Sequence, residues 1–129
     1  MGHPTIYPTG VTVYNPEKCW NGFTIFQALE VGAVLMNMNG RENKVWKGVH
    51  GFPNKIFPGG YLMTSRGSRD GRYGVQDGLD LVQIDWDGNV VWKFDRNEYI
   101  EDPGIPGRWM ARSHHDYQRE GSTTGYYAP

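Results

Sequence analysis

Arg112-Ser-His-His-Asp116, with Arg119 and Glu120 just beyond it, is the densest set of reactive side chains in the sequence. Two adjacent imidazoles, a carboxylate and flanking guanidinium groups supply a nucleophile or base, a group able to orient a ring, and cations for binding an anion. In a strand His114 and His115 would point to opposite faces, so only one looks into any given site. His115 is the better candidate because it matches His50: each precedes a Gly-Tyr pair, Gly125-Tyr126 and Gly60-Tyr61, by ten residues. A recurrent His at a sheet edge would serve equally to hydrogen-bond a neighbouring backbone and fix packing.

Other polar clusters carry less. His3, His50, His114, His115 and Asp116 have no metal-ligand spacing, so no metal is expected. Asp85-Trp-Asp-Gly-Asn89 lacks the ligand order and closing Glu of a calcium loop and reads as a hairpin turn. Ser65-Arg-Gly-Ser-Arg-Asp-Gly-Arg72 offers three Arg in a Gly-rich stretch, suited to an oxyanion or to a plain inter-strand loop. No phosphate-binding loop, nucleophile elbow, dinucleotide fingerprint or zinc-protease motif is present, and no cofactor is expected.

The elements that must hold these residues repeat. Val34-Leu-Met-Asn-Met-Asn-Gly40 matches Val82-Gln-Ile-Asp-Trp-Asp-Gly88, 48 residues later. Each leads to the same tripeptide, Val45-Trp-Lys47 and Val91-Trp-Lys93, with two extra residues after the Gly of the first copy. Period-two alternation on both sides of a tight turn makes each copy a β-hairpin. Trp46 and Trp92, at matching positions, are expected to pack between sheets. Gly22-Phe-Thr-Ile-Phe26 and Gly60-Tyr-Leu-Met63 open each unit with a further strand. The units fall near 22–64 and 79–129, and the Pro- and Gly-bearing stretch 95–111 reads as an inserted surface loop.

A unit of roughly 45 residues with about four short strands is the signature of a β-propeller blade, the rival being a compact sandwich. The chain then holds about two and a half blades, and a closed propeller needs roughly 180 residues or more. Further blades are expected from a longer chain or from other subunits.

Composition agrees with an all-β chain: 129 residues, 38% hydrophobic and 21% charged, with 18 Gly and 8 Pro punctuating it too often for a helical bundle. Thirteen Lys and Arg against 14 Asp and Glu leave a net charge of -1, which argues against nucleic acid or an anionic membrane as partner. The longest apolar run, Ala33 to Met36, is far too short to span a bilayer. Cys19, the single cysteine, excludes an internal disulfide. The opening residues lack the basic and apolar regions of a signal peptide, which predicts an unexported, cytoplasmic chain.

Taken together, Gly10-Val-Thr-Val-Tyr-Asn-Pro16, Gly22-Phe-Thr-Ile-Phe26, Asn37-Met-Asn-Gly40 with Val45-Trp46, Asp85-Trp-Asp-Gly-Asn-Val-Val-Trp92 and Arg112-Ser-His-His-Asp-Tyr-Gln-Arg-Glu-Gly121 resemble the N-terminal part of bacterial arylsulfate sulfotransferases. The resemblance spans nearly the whole chain, and His-His-Asp with its flanks is its most specific part. It implies a six-bladed propeller with a central funnel, moving a sulfuryl group from a phenolic sulfate ester to a phenol without PAPS. In that family a His forms a transient sulfohistidine while other His and Arg side chains hold the sulfuryl oxygens. The sulfated His belongs to a later blade than those visible here. By motif His115, His114 and Arg112 become the catalytic candidates, and His50 and Arg119 the substrate-binding ones. The family analogy places such a protein in the periplasm, against the cytoplasmic reading above. The alternative function is a non-catalytic propeller piece acting as a structural or binding module.

Overall fold

The computed structural model describes residue 11 and residues 13–51, 53–67, 78–94, 96–111 and 115–117. Among them there is no α-helix, and the chain is all-β. Nine strands follow in order: β1 (Phe23–Ala28), β2 (Gly32–Asn37), β3 (Glu42–Lys47), β4 (Lys55–Phe57), β5 (Tyr61–Thr64), β6 (Val82–Ile84), β7 (Val90–Lys93), β8 (Glu98–Asp102) and β9 (Ile105–Met110). They form three antiparallel meanders, β1-β2-β3, β4-β5-β6-β7 and β8-β9.

Both expected hairpins form, β2-β3 and β6-β7, and their backbones correspond in detail. The Asn37 N–H donates to the Arg41 carbonyl at 3.0 Å and the Gly40 N–H to that of Asn37 at 3.0 Å. The Asp85 N–H likewise donates to the Asn89 carbonyl at 2.9 Å and the Gly88 N–H to that of Asp85 at 3.1 Å. Each turn is also closed by its first side chain: Asn37 Oδ1 accepts from the Arg41 N–H, and Asp85 Oδ1 from the Asn89 N–H. A bulge interrupts the ladder between Leu35 and Met36 in one hairpin and between Gln83 and Ile84 in the other, again 48 residues apart.

This register corrects the alignment drawn from the sequence. Leu35 pairs with Lys44 as Gln83 pairs with Trp92, so the offset stays 48 through both strands and the turns are equal in length. The two-residue insertion disappears. Trp46, opposite Ala33, has Phe94 as its counterpart, whose N–H bonds the Leu81 carbonyl, and Trp92 stands where the first hairpin has Lys44. The shared Val-Trp-Lys tripeptide misled because side-chain identity outscored backbone register.

The first sheet lays Ala33, Leu35 and Trp46, with Ile25 beside them, against Leu62, Val82 and Ile84 of the second, with Val49 from the connection. Trp46 is 3% exposed; its Nε1 donates to the Asp85 carbonyl at 3.2 Å, and its ring meets Trp86 edge-on at 5.3 Å. Gly32 sits at φ +131, where a Cβ would collide with the Trp46 carbonyl oxygen, so the closest strand approach requires glycine. On the opposite face of the second sheet Phe57, Met63 and Leu81 form another cluster, joined by Tyr61, Trp92, Phe94 and Tyr117.

The stretch expected to be a loop, 95–111, holds the β8-β9 hairpin instead. Pro103-Gly104, taken as a sign of irregular chain, is its two-residue turn, with Gly104 at φ +82. Tyr99 and Trp109 face each other across the pair with ring centroids 5.7 Å apart, which rewards the pairing.

The unequal roles of the two tryptophans are testable. Trp46→Ala is expected to cost about 3–5 kcal/mol, as for a fully buried aromatic. Half-buried Trp92→Ala should cost clearly less. Urea unfolding of the two variants measures the difference, and equal losses would contradict the packing described.

Candidate functional site

The chain between β3 and β4 carries His50, and it is fastened residue by residue. Gly48, at φ +70, turns the chain off the strand, and Val49 drops into the core between the sheets. The Val49 carbonyl then accepts from Gln27 Nε2 at 3.1 Å. The His50 N–H donates to the Ser65 carbonyl at 2.6 Å, holding the residue at the end of β5 with its side chain half-buried. Gln27 Oε1 accepts from the Gly51 N–H at 3.1 Å and from Asn54 Nδ2 at 3.0 Å, and Thr64 Oγ1 donates to Asn54 Oδ1 at 2.7 Å. Gln27, Asn54 and Thr64 thus join the two sheets through polar groups in which donors meet acceptors, as buried groups must.

His115 reaches the same end of the second sheet from the other side. It is exposed, with φ +64, a left-handed bend rather than a strand, so the alternation expected of His114 and His115 does not apply at this residue. The next residue, Asp116, pairs through Oδ1 with Lys55 Nζ at 2.6 Å, and Lys55 Nζ also donates to the Tyr117 carbonyl at 2.5 Å. Tyr117 lies under this pair. Its hydroxyl donates to the Met63 carbonyl at 2.8 Å and touches that of Pro53, and Lys55 Nζ stands 5.2 Å from the ring centroid. Lys55 opens β4 and pairs with Met63, next to the Thr64-Ser65 end of β5 that anchors His50.

The electrostatics follow from these contacts. The hydrogen bond from Lys55, then that from the Tyr117 N–H, hold the Asp116 carboxyl below the usual carboxylate range. Burial, and secondly the Asp116 charge, push the Tyr117 phenol well above its ordinary value. In the β6-β7 turn the Asn89 side chain, then the Asn89 N–H, lower Asp85, so this carboxylate is spent on the turn.

Two of the five candidates, His50 and His115, are therefore placed by the structure, on segments that converge on the β4-β5 end. His114, Arg112 and Arg119 lie outside the described residues. Lys55 and Tyr117, which join the two segments, carried no signal in the sequence, because their partners lie 62 and 54 residues away. Among the described residues no group of His, Cys, Asp and Glu is arranged to hold a metal ion. Among the described residues no helix is long and apolar enough to cross a membrane.

The Tyr117 contacts give a pH-dependent expectation. Because the phenol is harder to ionise in the folded state, stability falls as pH rises above the unfolded value of about 10. Tyr117→Phe should remove that alkaline loss and cost about 1 kcal/mol at neutral pH for the missing hydrogen bond. Asp116 has the opposite sense: its lowered carboxyl favours the fold above about pH 4, and the benefit fades as pH falls further. That effect is small, since the side chain is 73% exposed. Urea midpoints across pH for the wild type, Tyr117→Phe and Asp116→Asn check both signs.

Compared with family models, with curated proteins and with solved structures, the chain matches none.

Proposed function

We propose that this chain forms part of a β-propeller of the arylsulfate sulfotransferase kind, and that its β4-β5 end faces the funnel where a sulfuryl group passes from a phenolic sulfate ester to a phenol. One observation carries the reading: the two His-bearing segments, far apart in sequence, are brought to one end of a sheet and joined there by Lys55, Asp116 and Tyr117. A propeller is supported by a four-stranded meander stacked on a second meander whose hairpin repeats its turn, bulge and pairing positions at a fixed offset of 48.

In such a funnel a neutral imidazole attacks sulfur. The S–N bond forms as the S–O bond to the aryl group breaks, and the phenolate departs with a proton from a neighbouring acid. An acceptor phenol then gives up its proton, takes the sulfuryl group and restores the imidazole. The developing charge sits on the sulfuryl oxygens, so fixed cationic donors lower the barrier. The roles of His115, His114 and Arg112 in catalysis, and of His50 and Arg119 in binding, follow from this reading, with the attacking His on a further blade.

A second reading, a non-catalytic sheet-stacking module, draws on the use of the His50 backbone as an anchor to Ser65. Turnover separates the two. With 4-nitrophenyl sulfate as donor and a phenol as acceptor, without PAPS, the intact protein should release 4-nitrophenol. His115→Ala or His50→Ala should slow it on the order of 10²-fold while leaving the fold intact. Full turnover in both variants, or a loss tracking only their stability, would favour the stacking module.

A further inference from the structure

We propose that Asn21 is a site of spontaneous deamidation, converted through a cyclic imide to isoaspartate and aspartate while the chain is folded. The sequence holds Asn-Gly twice, Asn21-Gly22 just before β1 and Asn39-Gly40 in the β2-β3 turn. This pair of residue types suits the reaction, because the asparagine side chain reaches the next backbone nitrogen in a five-membered ring and glycine has no Cβ to crowd that nitrogen. Neither His50 nor His115 takes part, so the site stands independently of the sulfuryl-transfer reading.

The chemistry needs only water and hydroxide. The Gly22 amide gives its proton to hydroxide, and its nitrogen attacks Asn21 Cγ. The N–Cγ bond forms, the Cγ–Nδ2 bond breaks, and ammonia leaves with a proton taken from water, which restores the hydroxide. Water then opens the ring. Attack at the Asn21 main-chain carbonyl breaks its bond to Gly22 and gives isoaspartate, whereas attack at Cγ gives aspartate.

Local structure separates the two pairs. Asn21 is exposed, and among the described residues nothing bonds its side chain or the Gly22 N–H. A Cβ added to Gly22 would meet no atom within 4 Å, so the attacking nitrogen has open space around it. At the other pair the Gly40 N–H is held by the Asn37 carbonyl at 3.0 Å, Gly40 is buried at φ +73, and the Asn39 N–H donates to Asn37 Oδ1 at 3.0 Å. Attack there waits for the hairpin turn to open, and only the small open population reacts.

The product carboxylate is ionised at neutral pH and adds one negative charge to a chain of net charge -1. It lands at the head of β1, an edge strand with no charged side chain from Phe23 to Ala28. A charge at such an edge discourages pairing with another chain.

The test incubates the folded chain in warm, mildly alkaline buffer and digests samples over time with trypsin. The Cys19–Arg41 peptide carries both pairs, and electron-transfer fragmentation assigns each conversion to its residue and separates isoaspartate from aspartate. Asn21 should convert with first-order kinetics, at least about tenfold faster than Asn39, since the turn must open for the latter. In denaturing urea the two rates should come together, because nothing then holds the Gly40 N–H. Gly22→Ala should slow conversion at Asn21 several-fold and leave Asn39 unchanged. Conversion of Asn39 as fast as that of Asn21 in the folded chain, a gap that persists in urea, or an Asn21 rate untouched by Gly22→Ala would overturn the proposal.

Discussion

Strands of three to six residues cannot hold their own shape in water, and a two- or three-strand ribbon of them becomes stable only when a face is buried. Here that burial is the junction between the first two sheets, and its centre is Trp46. The indole fills the space between the sheets, its N–H reaches across to the Asp85 carbonyl, and its ring meets Trp86 of the β6-β7 turn edge-on. The residue opposite it on β2 is Ala33, and Gly32 lets the β3 backbone pass close by. A large side chain on one strand is matched by small ones on the next, so the junction fills without strain. Remove the indole and the sheets lose both their largest shared surface and a hydrogen bond between them.

The functional features hang from that junction in sequence as well as in space. Val49, two residues beyond β3, is buried in the same cluster, and its neighbour His50 is thereby delivered to the end of β5. Gln27, on β1, fastens the rest of the connection through Val49, Gly51 and Asn54, so the segment bearing His50 is held from both sheets at once. Lys44, on the strand that carries Trp46, reaches the Trp86 ring in the β6-β7 turn. The placing of the histidine segment is thus a consequence of how β3 docks.

What the sequence made legible is what local chemistry decides. Period-two alternation and the Gly-bearing turns Asn39-Gly40 and Asp87-Gly88-Asn89 located both hairpins, and the density of Gly and Pro excluded a bundle. The inter-sheet position of Trp46 was expected from its place in the repeated tripeptide, the same argument that set Trp92 beside it. Pairings that depend on backbone register were not legible: Val-Trp-Lys recurs at an offset of 46, yet the register of the two hairpins repeats at 48, which puts the two tryptophans at different places. The β8-β9 hairpin was hidden because Pro103-Gly104 serves a tight turn and an irregular loop equally well. Lys55 and Tyr117 were hidden for another reason, since a contact spanning more than fifty residues leaves no trace in either local neighbourhood.

The same register shows that corresponding faces of the first two sheets differ. The face by which the first sheet holds the second is Ile25, Ala33, Leu35 and Trp46; the corresponding face of the second is Met63, Leu81, Gln83 and Phe94. Three of those four positions stay apolar, and Leu35 alone becomes a buried Gln83, with Trp92 across the ladder where the first sheet has Lys44. Whatever packs on this second face must tolerate a buried amide. A buried amide among apolar side chains narrows what can pack on that face, which is a source of specificity. Tyr117, arriving from beyond β9 with its hydroxyl on the Met63 carbonyl, covers part of that face, and it does so on the segment that carries His115.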